Sequence, residues 1–464
     1  MGMKTVFFSI ASKLVMRNLF LVPEGVFDIL KKYPDIKLVL ILNDKLYKIN
    51  ENYFKNFSSP NVIFEIVKSG YKTETKNIIQ SIFVFFYSYL IFTPTTQLIA
   101  SKGARADITT TKWHHYLYLL KWLNYMLFGQ IRFIKERLVP KLYFYFFKER
   151  PYGELFDKYK PDLIFLPNIA HSPDLELLAE AKRRGIRSVG MCGSWDHFNK
   201  YFVPLRSDIL LAWNEPLKRE AVEHECYKLE QIKLVGFPQF DTYLNKSIYT
   251  TREEFLKNKN FPPDAKVFFF ASEGAYSLDG PDIIDMMVKW IENGELPVNS
   301  RIILRLYPGV KSEEEAYKKF FNHPLIFVDS VDNWTTRNNF ISFINTLRHS
   351  DVIISTYSTI SVEAVVFNKP LININFDGYH VRLPHKAVRR LEGFSHFRHV
   401  LTTGALINVE SQNELLVAIK NYLNNPLLDE DKRIILQNNM CYKLDGKTSK
   451  RIVENLISYL YEQK

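Results

Sequence analysis

Short β-branched and aromatic runs alternate with amphipathic stretches along most of the chain, which predicts parallel sheets flanked by helices. Apolar runs at 4–10, 35–42 and 61–67 read as strands, and apolar residues at three and four spacing over 16–32 predict a helix between the first two. After residue 150 the pattern resumes, with strands at 161–167, 187–192, 208–213 and 233–235 and helices at 173–184 and 215–228. A linker and helix at 250–260 open a second series. It has strands at 266–271, 301–306, 325–328, 351–355 and 371–375 and helices at 282–293, 338–349, 362–367 and 413–423. No internal repeat or low-complexity tract breaks the order.

One stretch departs from this pattern. The run 112–150 holds twelve aromatic residues and eight Lys or Arg against two Glu. Rings interleaved with cations are what an interfacial helix needs at an anionic lipid surface. A helical pair packed on the chain's own core, with its basic face in water, has the same composition, and both readings stand at this point. The longest uncharged run, 77–101, contains an apolar core at 82–92 that ends at Pro94 and is too short to span a bilayer.

Composition narrows the class. A chain of 464 residues accommodates two α/β domains, and 47% hydrophobic with 24% charged residues argues against disorder. The net charge of +11 suits an anionic membrane, a nucleic acid or an anionic substrate. No nucleic-acid motif accompanies that charge, and the cations cluster with aromatics in one block, so nucleic acid is not an expected partner. Cys192, Cys226 and Cys441 lie far apart without metal spacing and fit buried free thiols in a reducing compartment. The first apolar run follows Lys4 and leads into a turn without a cleavage site. The expected location is the cytoplasm, peripheral on the inner face of the plasma membrane if the basic block docks there.

Candidate chemistry concentrates in 350–378, which reads as strand, polar turn, helix and strand. In a βαβ unit the turn at the carboxyl end of the first strand is where ligands bind. Ser358 and Thr359 place hydroxyls at a helix start, where free N–H groups favour an anion. Glu363, about one turn on, suits the two hydroxyls of a ribose. A capping hydroxyl and a solvated glutamate would use the same residues.

This stretch resembles the C-terminal half of the CDP-glycerol glycerophosphotransferase and polysaccharide glycosyltransferase superfamily. Asp351, Ser355, Thr356, Tyr357, Ser358, Thr359 and Glu363 follow its pattern, as do Lys369 and Pro370; Thr356 stands where the family usually has Asp. Gly236 to Asp241, and Asp445, Gly446, Ser449 and Arg451, match two further signatures, with Gln239 in place of the usual Arg. The resemblance implies a GT-B architecture: two Rossmann-like domains facing across a cleft, with a last helix that crosses back to the first. It assigns the nucleotide diphosphate to the paired hydroxyls and the ribose to Glu363. Arg305 would clamp the diphosphate, with Tyr307 where members carry a second His. Arg17 and Asn18 match an Arg-Asn pair after the first strand, which places Ser12 and Arg17 at the acceptor cleft. A Trp-His-Gly motif carries the family's proposed base; here Trp195 is followed by Asp196, then His197. A carboxylate can serve as that base, so Asp196 is the expected catalytic residue, with His197 in reserve.

The resulting expectation is an α/β protein with an acceptor-binding domain at 1–245, a helical insertion at about 77–150, and a nucleotide-donor domain at 246–464. Ser272, Glu273 and Gly274, after the strand at 266–271, complete the donor site. The expected activity is inverting transfer of a sugar from a nucleotide-activated donor to a surface-polysaccharide or lipid-linked acceptor. A CDP-glycerol-type glycerophosphotransferase or a nucleotide-sugar epimerase on the same fold is the alternative. No cofactor is expected. No Asp-x-Asp pair follows a strand, so no metal is expected, and Arg305, Ser358, Thr359 and Lys369 would stabilise the leaving diphosphate.

Overall fold

Two fully parallel sheets carry the chain in the computed structural model. The structure describes all residues except 1, 11, 21, 23, 56, 58, 69–76, 103–111, 201, 308–310, 330–335 and 463–464, and except the side chains of 52, 53, 102, 112–116 and 311. The first sheet contains β1 (Lys4–Ile10), β2 (Ile36–Asn43), β3 (Val62–Val67), β4 (Leu163–Leu166), β5 (Arg187–Met191), β6 (Ile209–Ala212) and β7 (Ile232–Leu234), in the spatial order 3-2-1-4-5-6-7. The second contains β8 (Lys266–Ala271), β9 (Ser300–Arg305), β10 (Ile326–Asp329), β11 (Val352–Ser355), β12 (Leu371–Ile374) and β13 (Ile407–Val409), in the order 10-9-8-11-12-13. These are two Rossmann-like folds.

The apolar runs become strands because both faces of each sheet are covered. In β8, Val267, Phe269 and Ala271 join the large core that continues into the first sheet, while Phe268 and Phe270 point into the core on the other face. Each sheet reverses its winding once, between β1 and β4 in the first and between β8 and β11 in the second. Ligands bind open α/β sheets in the crevice at such switch points. The segments after β1, β8 and β11 lead into these crevices.

Periodicity misled at 16–32, where the expected helix is broken. A helical turn (Lys13–Val15) runs into a π-helical turn (Met16–Phe20), and a separate helix (Val26–Leu30) starts at the cap Gly25. Glu24 has φ 55°, a left-handed conformation that ends a right-handed helical path although the apolar spacing continues. The helix expected over 362–367 divides into an α-helical turn (Ile360–Ala364) and a 3-10 turn (Val365–Phe367). Residues 77–150 form the helices Ile78–Ser88, Pro94–Lys102, Lys112–Asn124 and Val139–Phe146, with π-helical turns between the last two. No helix among the described residues is long and apolar enough to cross a membrane.

The last helix, Thr448–Tyr461, crosses back to the first sheet. Its first N–H groups, at Thr448 and Ser449, donate to the Asp241 carboxylate at 3.0 and 2.7 Å. At its far end Arg187, which opens β5, donates to the carbonyls of Tyr459 and Leu460. Two motifs noted in the sequence thus meet in one cap, which satisfies N–H groups a helix start leaves open.

Candidate functional site

Both switch points open on one cavity of about 540 Å³ between the sheets. Its second-sheet wall comes from the residues after β8, β9 and β11; its first-sheet wall comes from Lys13, Arg17 and Asn18 after β1 and from the loop after β5. A third wall, absent from the sequence reading, is the stretch 391–397 after β12, which contributes Leu391, Phe394, His396 and Phe397.

After β8, Ser272 Oγ donates to Glu313 Oε1 at 2.7 Å and accepts the Gly274 N–H at 3.2 Å, while Glu313 Oε2 accepts the Tyr307 N–H at 3.0 Å. Ser272 thereby ties the turn after β8 to the one after β9. Gly274 has φ +56°, and a Cβ there would lie 3.0 Å from the Tyr307 ring, so only glycine fits. Glycine's place is behind Tyr307 and outside the cavity wall; Ser272, Glu273 and Tyr307 are in it. Burial pushes the Glu273 carboxyl up to about 8, against a hydrogen bond with Ser358 that favours the ionised form. Glu273 is therefore protonated at neutral pH.

Arg305, the last residue of β9, is held by Asp329 at 2.6 Å and lies over the Phe343 ring at 4.4 Å, which fixes its guanidinium at the cavity. After β11 the chain turns at Tyr357, with φ 49°. Its N–H donates to Asn373 Oδ1 at 2.6 Å and its hydroxyl to Asn375 Oδ1 at 2.8 Å, so β12 fixes the turn. Thr356, Tyr357, Ser358 and Thr359 all face the cavity; Ser355 stays buried in the strand behind them. The helix that follows is five residues long, and neither hydroxyl caps it closely: the Ser358 Oγ contact with the Ile360 N–H is 3.4 Å. So short a helix has little dipole, and an anion here would rely on hydroxyls and cations.

Glu363 meets Arg17 across the cleft at 3.7 Å, with both side chains largely buried. Burial raises the Glu363 carboxyl and Arg17 opposes it. Arg17, expected on the acceptor side, thus touches the expected ribose carboxylate. Ser12 departs from expectation: its Oγ accepts the Val15 N–H at 3.2 Å, capping the first helical turn outside the cavity wall. Lys369 is likewise outside the wall, and burial lowers it to about 8.

In the loop after β5, a Cβ on Gly193 would come within 2.5 Å of Asn168 Oδ1, so a side chain here would have to displace the Asn168 amide. Asp196 follows in the cavity wall. Burial would raise its carboxyl, but the adjacent Lys200 ammonium, then His396 and His197, hold it well below the usual carboxylate range. Burial lowers His396 to about 3 and His197 to about 4, so both imidazoles are neutral at pH 7 and Lys200 is the cation that remains. His197 is buried against the His171 ring behind the wall, not in it. His396 lines the cavity instead. Its Nε2 lies 3.8 Å from Asp196 Oδ2, its Nδ1 lies 3.1 Å from Thr95 Oγ1, and its ring meets Trp195 edge-on at 5.5 Å. Lys13, Lys200, Trp213 and Gln239 are further wall residues the motifs did not mark as site residues. Four cations, Lys13, Arg17, Lys200 and Arg305, surround the space.

No family model matches the chain, and no curated protein matches it. Among solved structures, UDP-GlcNAc 2-epimerase from Neisseria meningitidis bound to UDP-GlcNAc is similar over 98% of this chain and 100% of its own, at 11% identity and a TM-score of 0.57. UDP-N-acetylglucosamine 2-epimerase from Rickettsia bellii is similar over 99% and 97%, at 15% identity and 0.52. A glycosyltransferase from Rickettsia africae is similar over the whole of both chains, at 12% identity and 0.50. At such identities the likeness establishes the fold: two Rossmann-like domains in the GT-B arrangement. It does not single out the CDP-glycerol enzymes whose motifs the sequence resembles.

Proposed function

We propose that this protein is an enzyme that binds a nucleotide-activated sugar in the cleft, breaks the bond between the anomeric carbon and the diphosphate, and inverts the carbon beside it. The observation that carries this reading is one cavity lined both by the buried carboxyl of Glu273 and by the Asp196–His396 pair, 3.8 Å apart, so that a proton donor and a proton acceptor share the same space. Epimerisation beside the anomeric carbon removes the proton at carbon 2, whose electron pair forms a C1=C2 double bond as the C–O bond breaks; protonation of carbon 2 from the other face and return of the diphosphate oxygen to carbon 1 close the cycle, so it needs one group to accept and another to donate. The leaving diphosphate takes the electron pair of the broken C–O bond, and Lys13, Arg17, Lys200 and Arg305 supply positive charge to receive it. The epimerases of the same fold point the same way.

Inverting transfer to a glycan or lipid-linked acceptor is the second reading. It rests on Asp196, which stands in the resembling family's base position and could take the proton of an attacking hydroxyl.

One experiment separates the two. The protein is incubated in D2O with UDP-GlcNAc, then with GDP-, CDP- and CMP-linked sugars, without acceptor, and followed by NMR. The epimerisation reading expects deuterium at carbon 2 and a second epimer. Transfer expects no exchange, and release of nucleotide only once an acceptor is added. Absence of binding to every donor in calorimetry would sink both.

A further inference from the structure

The helical insertion carries an apolar surface that its own fold does not cover. On the helix Ile78–Ser88, Ile78 and Ile82 are 73% and 61% exposed, although Phe83 on the opposite side packs against Phe146 at 5.0 Å. The next layer repeats this. Leu119, Leu120 and Leu127 are exposed, while Asn124 donates to the carbonyls of Phe86 and Tyr89 at 2.9 and 3.1 Å. Ile131, Phe133 and Tyr145 extend the apolar set beyond it. The helices are thus bonded to one another on their inner sides and leave large apolar side chains outward, well beyond the scattered exposure normal for a soluble surface.

Charge identifies the occupant. Arg132, Arg137, Lys141 and Lys148 are exposed among these residues, and Lys148 lies 5.3 Å over the ring of Tyr145. Of the two acids in 112–150, Glu136 is already taken by Arg132 at 2.7 Å. An apolar face rimmed by cations fits acyl chains beneath anionic head groups. A second copy of the chain on the same face would set like charges against each other. No helix among the described residues is long and apolar enough to cross the bilayer, which suits a contact that lies on it.

We propose that this face docks the protein on an anionic membrane surface. The insertion also reaches the cleft, since Thr95 and Thr93 bond to His396 and to the Asn199 carbonyl, so docking face and cleft wall are parts of one packed unit.

The test is co-sedimentation of the purified full chain with phosphatidylcholine vesicles, with and without phosphatidylglycerol, at low and high salt. Binding is expected only with the anionic lipid, and weaker at high salt, because attraction between exposed charges is screened. Lys141→Glu with Lys148→Glu should lower binding by about tenfold or more, and Leu120→Glu with Leu127→Glu should abolish it, with melting temperatures unchanged. No binding of the unaltered chain to anionic vesicles at low salt overturns the proposal. So does binding that neither double variant reduces. Self-association of the unaltered chain that Leu120→Glu with Leu127→Glu removes, without vesicle binding, assigns the face to a second copy instead.

Discussion

His396 Nε2 lies 3.8 Å from Asp196 Oδ2, which brings a histidine from the other half of the chain to the loop after β5. The two groups divide the properties a base needs. Asp196 is charged, and Lys200 makes it a weak base; His396 is neutral, and burial makes it a weak base too. A substrate that displaces Lys200 would restore basicity to the carboxylate.

That geometry predicts that Asp196→Asn lowers turnover by on the order of 100 to 10,000-fold while donor affinity barely changes. His396→Gln should fall in the same range. Because the two act together, the double variant should be little worse than the worse single one. His197→Ala, behind the wall, should be mild. Steady-state rates and calorimetry on the four variants decide it: near-full turnover of Asp196→Asn removes the carboxylate from the chemistry.

Glu273 predicts a pH dependence. Burial raises it from 4.5 to about 8, so between those values the folded state holds a proton that the unfolded state has lost. Its contribution to stability is full below the lower value and is lost as pH rises through the upper one. The melting temperature of the unaltered chain should therefore fall more steeply toward about pH 8 than that of Glu273→Gln. Glu220 and Glu225 are also pushed to about 8, but they are common to both proteins and drop out of the difference. Equal slopes would show that Glu273 is ionised at neutral pH and cannot be the proton donor.

The strands were legible because a parallel sheet covered on both faces demands continuous apolar runs, and β8 and β11 are such runs. The polar turn after β11 was legible for the same reason: a strand that must end leaves its polar turn at the sheet's edge. What periodicity could not convey was conformation between elements. Apolar spacing runs unbroken through Glu24 although the helix does not, and Ser12 reads alike as a cap and as a site residue until its Oγ is seen to accept the Val15 N–H. His396 was illegible for a different reason. Phe394 to Phe397 has neither motif nor period, and the stretch is placed by Thr95 and Asn199, which bond to Ser395 from the other half of the chain.

Activity should survive EDTA. Among the described residues no group of three or more His, Cys, Asp or Glu is arranged to hold a metal ion, and the cations of the cavity wall can receive the diphosphate directly. The measurement is turnover with EDTA, then with magnesium or manganese restored. An absolute requirement for either ion would place a metal between the phosphates and reassign the role given to Arg305 and Lys200.

The last prediction concerns Arg17 and Glu363, which close the cleft from opposite sheets. Both side chains are largely buried, and Arg17 opposes the desolvation of the Glu363 carboxyl. Glu363→Ala should weaken donor binding by roughly 1 to 3 kcal/mol through the lost ribose contact, with the nucleoside diphosphate alone showing the same loss as the full donor. Arg17→Ala should instead lower the melting temperature and weaken diphosphate binding, since Glu363 then loses the cation that opposes its desolvation. The variants therefore separate by ligand: a nucleoside without phosphates should sense Glu363→Ala and hardly Arg17→Ala. If nucleoside binding is unchanged in Glu363→Ala, the carboxylate is a bridge between the sheets and the ribose lies elsewhere in the cavity.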